Sequence, residues 1–327
     1  MSPAVRAVVC RELGPLDNVV VEERPSPVPG PGQVVVEVRA AGANYVDGLI
    51  CQGRYQMKPR PPYVPGGEIA GVVQAVGEGV SRVAVGDRVM AMTGFGAFAE
   101  RVLVNADALD SVPGSLDFGQ AAAFIQSYST AWFALTRRAQ LCEGEWLLVL
   151  GAGGGIGLAA VDVGVALGAH VVAAASSEAK LAAARRMGAD AVVGYEHEDL
   201  KTVVREVTGG GADVVVDPVG GRHSEPALRA TRTFGRFCVV GFASGPIASV
   251  PLNHVLLHNR SVVGVDWGAW AMGDPAGNRA LLDELVEMVE SGRLHPVQPV
   301  ERPLEEAAAV MAGLLDRTVT GKVVLVP

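Results

Sequence analysis

The chain has 327 residues, 49% hydrophobic and 19% charged, a balance that excludes disorder as the main state and leaves room for two cored domains. A net charge of −8 without any basic block argues against nucleic acid or an anionic membrane surface as partner. The opening, MSPAVRAVVCRELG, lacks the basic start and apolar run of a signal peptide. The four cysteines, Cys10, Cys51, Cys142 and Cys238, have no metal-ligand spacing, and the expectation is a reduced, cytoplasmic chain in which most of them are buried apolar groups.

Up to about residue 120 the chain reads as short Val-rich strands. VRAVVC, NVVVEE, QVVVEVRAA, EIAGVVQAVG, DRVMAM and FAERVLV are separated by turn-formers such as SPVPGPGQ and PPYVPGG, which suits an antiparallel, barrel-like domain. From Phe118 the texture changes. Residues 118–141 read as long helical stretches, and strands then alternate with helices. The strands are expected at 145–150, 170–175, 191–195, 213–219, 236–242 and 261–267, the helices at 155–168, 177–188, 198–207 and 222–233. Apolar strands alternating with helices predict a parallel, doubly wound sheet. After Ala271 come two more helix patterns and a closing strand, GKVVLV, which the pattern alone assigns to neither domain.

The densest signal is LLVLGAGGGIGLAA, residues 147–160, where a strand hands over to a helix. The run Trp146–Val161 is uncharged, but Asp162 ends it short of the roughly 20 residues a membrane span requires, and its glycines suit a long helix poorly. Glycine here costs conformational entropy, so the turn needs either positive φ or bare backbone. Gly151, Gly154 and Gly157 stand at the positions where a dinucleotide-binding turn needs close approach to a pyrophosphate, with Gly153, Gly155 and Ile156 completing the loop into the helix N-terminus. The second strand of the unit ends in Ser176-Ser177-Glu178-Ala179-Lys180, with serines where an NAD site places an acid. Small donors and a cation suit a 2′-phosphate, so the expected coenzyme is NADPH. Glu178 is read as a favourable first-turn charge.

Taken together, AAGANYVDGLICQGRYQ (40–56), PPYVPGGEIAGVVQAVGEGV (61–80), GAFAERVLV (96–104), the glycine turn, DVVVDPVGG (213–221), VVGFASG (239–245), HNRSVVGVDWG (258–268) and TGKVVLVP (320–327) resemble the zinc-free medium-chain dehydrogenase/reductases, close to the zeta-crystallin-like quinone oxidoreductases. The resemblance runs end to end. It implies an α/β chain with a GroES-like, β-rich catalytic domain (1–121 and 268–327), interrupted by a doubly wound Rossmann domain (122–267), the active site lying in the cleft. It also implies a homodimer. Zinc-dependent relatives carry a Cys where this chain has Asn44, and Gly-His-Glu where it has Gly66-Gly67-Glu68, so no metal is expected.

The resemblance further implies that Ser176, Ser177, Lys180 and Tyr195 face the 2′-phosphate, with Arg317 as another phosphate contact or a plain surface charge. Ser127, Val219, Phe242, Ser244 and Trp267 match segments near the nicotinamide, Trp267 fitting a core role nearly as well. Asn44 and Tyr55 match cleft-lining positions and are the candidate catalytic residues, although Tyr55 also fits as a wall-filling aromatic; Asp47 is read as structural. The activity so implied is hydride transfer from NADPH to an electron-poor small molecule, a quinone or an α,β-unsaturated carbonyl or acyl thioester. A crystallin-like protein that binds NADPH without catalysis is the reading from another class.

Overall fold

The structure, a computed structural model, describes residues 4–327. The chain divides into two compact units, Met1–Gln126 with Gln298–Pro327, and Ser127–Val297.

The first unit is built from β1 (Ala4–Cys10), β2 (Val19–Pro25), β3 (Gln33–Ala43), β4 (Glu68–Val76), β5 (Arg88–Met92), β6 (Arg101–Asn105) and β7 (Leu109–Ser111). β3 is the hub. It pairs antiparallel with β4 along nearly its whole length and with β6 at its start. Val34, Val36 and Val38 from this strand pack with Ile69, Val73, Val89, Phe98 and Leu109 into the unit's core. Glycine at 42 is enforced by packing: a Cβ there would overlap the Ala122 carbonyl and the Glu68 side chain. β1 and β2 form a separate antiparallel pair, tied on by bridges from Ala7 to Ala99 and from Cys10 to Tyr63.

The second unit carries β8 (Trp146–Leu150), β9 (His170–Ala175), β10 (Ala191–Gly194), β11 (Ala212–Asp217), β12 (Thr231–Val239) and β13 (Ser261–Gly264). All neighbours are parallel, in the order β10-β9-β8-β11-β12-β13. The sheet grows one way from β8 and then the other from β11, which is the dinucleotide-fold order with its reversal between those two strands. The expected strands are present. Several differ in extent: the strand expected over 261–267 stops at Gly264, with Trp267 opening the helix Trp267–Gly273, and the one expected over 236–242 runs from Thr231 to Val239. The helix expected over 222–233 is Ser224–Ala230, because Thr231 turns extended to pair with Ala212 and its hydroxyl closes the helix on the Ala227 carbonyl at 3.1 Å. The stretch 118–141 is broken into helices Phe118–Ala122 and Ile125–Trp132 and a wide-pitched turn over Phe133–Arg138.

The chain then returns to the first unit with β14 (Val300–Pro303) and β15 (Val323–Val326). β15 lies antiparallel to β3, with Val323 opposite Ala43, which settles where the closing strand goes. The packing seams fall at 126/127 and 297/298, whereas the sequence suggested 121/122 and 267/268. The long helix Pro275–Glu290 stays with the second unit because Glu284 accepts from the Trp132 indole at 2.7 Å and pairs with Arg137, while Asn278 accepts from the Trp267 indole at 3.0 Å.

Candidate functional site

In the second unit the glycine turn leaves the buried end of β8 with Gly151 at φ +59°, a conformation that favours glycine. A Cβ on Gly151 would press on Val219, in the loop after β11, so the turns following the two central strands touch at the sheet's reversal point. A Cβ on Gly157 would overlap the Gly151 carbonyl and the Ala152 main chain, while one on Gly153 would overlap the Lys180 stem. Gly154 caps the helix Gly155–Ala166 and has only one heavy atom within 4 Å of its missing Cβ, the Gly151 oxygen at 3.6 Å. The first helical hydrogen bond runs from Leu158 N–H to the Gly154 carbonyl at 2.9 Å. The amides of Gly155, Ile156 and Gly157 therefore precede the intrahelical ladder, and the positive end of the helix dipole adds to them. This cradle fits a pyrophosphate: it is bare, half-exposed at 154–156, and donor-only.

Around it the structure groups most of the residues named from the sequence. Lys180 lies on Gly153, and its Nζ is 3.5 Å from Ser176 Oγ. Ser177 precedes the helix Glu178–Arg186 and is exposed. Glu178 is turned to Arg185 at 2.5 Å on its own helix, in keeping with a first-turn charge. At the end of β11, Asp217 is buried and accepts from Val219 N–H, Gly220 N–H and the Ser224 hydroxyl in the loop beyond it at 2.9, 2.8 and 2.6 Å. Gly220 and Gly221, both at positive φ, let Phe242 and Ser244 come within contact of that loop. Ser244 N–H donates to the Val219 carbonyl at 2.8 Å, yet its buried Oγ has no partner among the described residues. An orphaned hydroxyl packed against the loop that touches the glycine turn fits a polar ligand. The Tyr195 ring lies 4.2 Å from that of His223, which follows Gly221 in the same stretch, and packs against the core cluster that includes Val219. Trp267 is buried with its indole N–H on Asn278. Ser127 is buried on the helix Ile125–Trp132, next to Tyr128, whose hydroxyl donates to Asp162 at 2.7 Å.

In the first unit a buried polar cluster surrounds Asn44. Asn44, Asp47, Glu68 and Lys322 are 8%, 4%, 1% and 4% exposed. Lys322 Nζ donates to Asn44 Oδ1 and to Glu68 Oε1, both at 2.7 Å. Asn44 Nδ2 donates to the same Glu68 oxygen at 2.9 Å, and Gln126 N–H donates to Glu68 Oε2 at 3.0 Å. Asp47 accepts from Asn44 N–H at 2.8 Å. Lys322 had no place among the residues singled out from the sequence. Its only signal was a lysine at the head of an apolar closing strand, which becomes informative once β15 is known to lie on β3. Tyr55 is half-buried in irregular chain beyond the helix Tyr45–Cys51. Arg317 is exposed at φ +59°, and with Arg317 N–H on the Leu314 carbonyl and Thr318 N–H on that of Gly313 it ends the helix Ala307–Leu315 where glycine is usual.

Burial pushes the Asp47 carboxyl up to about 7; the Asn44 N–H opposes the rise, the Glu68 charge adds to it and Lys322 opposes it. The folded state thus holds this proton more tightly than the unfolded chain. Stability falls as pH climbs from the ordinary carboxylate range to about 7, and the full penalty persists above. Asp47→Asn keeps an oxygen for Asn44 N–H and removes the charge. It should melt ever higher relative to the native chain as pH rises from about 4 to about 7, reaching a constant margin on the order of a few kcal/mol. Calorimetric melting at stepped pH checks this, and a margin independent of pH contradicts it.

Residues 30–114 match the family described as "Alcohol dehydrogenase GroES-like domain", and residues 155–287 the one described as "Zinc-binding dehydrogenase". The "Quinone oxidoreductase-like protein 2 homolog" of Nematostella vectensis is 40% identical over 325 residues, 98% of this chain and 88% of its own. The Escherichia coli quinone oxidoreductase, solved in complex with NADPH, superposes with a TM-score of 0.88 at 27% identity, over 98% of this chain and 100% of that one. The CurK enoyl reductase also superposes with a TM-score of 0.88, at 25% identity, over 98% and 99% of the two chains.

Proposed function

The chain belongs to the medium-chain dehydrogenase/reductase family, among its quinone oxidoreductase-like members, and on that footing we propose that it is an NADPH-dependent, zinc-independent reductase of quinones. The observation that carries this reading is the glycine cradle at the sheet's reversal point, with amides at 155–157 that precede the helical ladder. A reduced nicotinamide dinucleotide bound there would supply the hydride. Gly151 and Gly153–Gly157 would hold its pyrophosphate. Ser176, Ser177 and Lys180 would hold the 2′-phosphate, with Tyr195 and Arg317 assigned to the same end. Ser127, Val219, Phe242, Ser244 and Trp267 are assigned to the nicotinamide end. The E. coli relative's NADPH supports the choice of coenzyme.

A catalytic zinc does not fit the donor set around Asn44. Neither Asn44 nor Gly67 offers a thiolate or imidazole, and the Lys322 ammonium already occupies both Asn44 Oδ1 and Glu68 Oε1. The residues left for the acceptor are hydrogen-bond donors, Asn44 and Tyr55, which would stabilise charge developing on its oxygen. That chemistry serves quinones and enones alike. The likeness to CurK favours an enoyl reductase as the second reading.

The same reading includes a homodimer in the cytoplasm. Four free thiols accord with that compartment. β13 has an open outer edge and exposed faces, and exposed Ile247, Leu252, Leu256 and Leu257 lie in the segment leading to it. A second copy pairing edge to edge about a two-fold axis would cover both. The test is to mix NADPH with a panel of quinones and enones, follow coenzyme absorbance, and measure sedimentation against a 33.8 kDa monomer. Turnover with quinones is expected. Turnover with enones alone would favour the second reading, and coenzyme binding without any turnover would make this a non-enzymatic NADPH-binding protein.

A further inference from the structure

We propose that Lys322 is a positioning residue for Asn44, turning one amide N–H into a charge-assisted donor for the oxygen of the acceptor. The inference rests on the reductase reading above and goes further by giving the Asn44 amide a fixed orientation and a second-residue origin for its strength. An ammonium can only donate, so the oxygen it meets at 2.7 Å has to be the Asn44 carbonyl, and the amide nitrogen is thereby fixed on the other side. One Nδ2 hydrogen goes to Glu68 Oε1 at 2.9 Å. The acceptor facing the other is the Gly42 carbonyl at 3.5 Å, beyond the usual range for an N–H···O bond. A buried amide is therefore left with one hydrogen poorly used, which is unfavourable unless a ligand oxygen accepts it.

The surroundings hold this arrangement in place. Glu68 cannot rotate away, because its second oxygen is held by Gln126 N–H and its stem lies against bare Gly42. Asn44 N–H is held by Asp47. The charges facing the amide are Lys322 and Glu68, with the Asp47 carboxyl on its main chain. A cation on the carbonyl end draws electron density from the amide, strengthening its N–H groups as donors. Such a donor acts on charge that develops in the transition state and so raises kcat more than it lowers KM.

Lys322→Met alone would leave Glu68 as a buried unpaired carboxylate, so the informative variant is Lys322→Met with Glu68→Gln, which removes both charges. With quinone and NADPH, this double variant should lose about 100-fold in kcat, with coenzyme Kd by calorimetry and acceptor KM changed by no more than about twofold. Placed on Asn44→Ala, which itself loses about as much, it should cost nothing further, because both act through one hydrogen bond. Nitrogen-15 spectra of the side-chain amides give a readout without turnover: the Asn44 resonance should move in the double variant while melting temperature stays within a few degrees. Losses that multiply with Asn44→Ala, an unchanged kcat, or an unmoved Asn44 resonance would overturn the proposal. Should the double variant fail to fold, Lys322→Gln with Glu68→Gln, which keeps polar groups in the cluster without its two charges, is measured in its place, and an unchanged kcat there overturns the proposal too. If the native protein turns over no acceptor, the reductase reading falls first, and the donor role falls with it.

Discussion

Gly157→Ala should strongly destabilise the second unit, while Gly154→Ala should fold normally and bind coenzyme about tenfold more weakly. The two glycines stand three residues apart in one turn, but their missing side chains face different things. At 157 a Cβ would overlap the carbonyl of Gly151 and the main chain of Ala152, and main chain cannot rotate aside as a side-chain tip can. Forcing atoms against fixed main chain falls at the upper end of the usual cost of about 1–3 kcal/mol, or roughly 6–12 °C in Tm for a unit of this size. At 154 the backbone sits at φ −96° and ψ 175°, which alanine adopts freely, and its methyl would meet only the Gly151 oxygen at 3.6 Å. The native Tm should therefore persist. The methyl would nonetheless stand at the cap of the helix whose first amides are open, where a pyrophosphate needs bare backbone. A rise in coenzyme Kd of about tenfold or more corresponds to about 1.4 kcal/mol. Calorimetry and thermal melting of both variants check the pair. Native affinity in Gly154→Ala would remove the turn from the coenzyme site.

The strands and the turn were legible because they are local. EWLLVL, HVVAAA and DVVVDPV carry their own burial pattern, and five glycines between a strand and a helix have few physical explanations. What could not be read was set by partners far along the chain. Lys322 and Asn44 are separated by most of the sequence and meet only because β15 returns to β3. Asp162 looked like the residue that stops an apolar run. In the fold it is buried inside the helix Gly155–Ala166, accepting from Tyr128 and from His295 N–H at 2.7 and 2.8 Å. The Pro275–Glu290 helix, which the sequence groups with residues 268–327, packs with the second unit for the same reason: Trp132, Arg137 and Trp267 hold it, and none of them adjoins it in an obvious motif. Arg317 shows a different limit. A helix ending on a left-handed arginine gives no glycine to announce it.

Lys180→Met should weaken NADPH by about 10- to 100-fold and leave NADH within about twofold. A charge-assisted hydrogen bond to a phosphate contributes about 1.5–3 kcal/mol, which spans that range, and NADH has no 2′-phosphate to receive it. Methionine is the useful replacement because the Lys180 stem also supports the turn, its Cβ and Cγ filling the space over Gly153. Truncation to alanine would open that contact and weaken both coenzymes through the shape of the turn. Methionine keeps the stem and removes the ammonium that lies 3.5 Å from Ser176 Oγ. Glu178→Gln is the matching control. That carboxylate is engaged by Arg185 and largely exposed, so its removal should shift the NADPH-to-NADH ratio by no more than about twofold. Titrations at two salt concentrations add a further constraint, since a phosphate–ammonium contact at a half-buried site weakens as salt rises. Equal loss for both coenzymes in Lys180→Met would take the 2′-phosphate away from Lys180, and a preference reversed by Glu178→Gln would place the acid, not the cation, at the ribose.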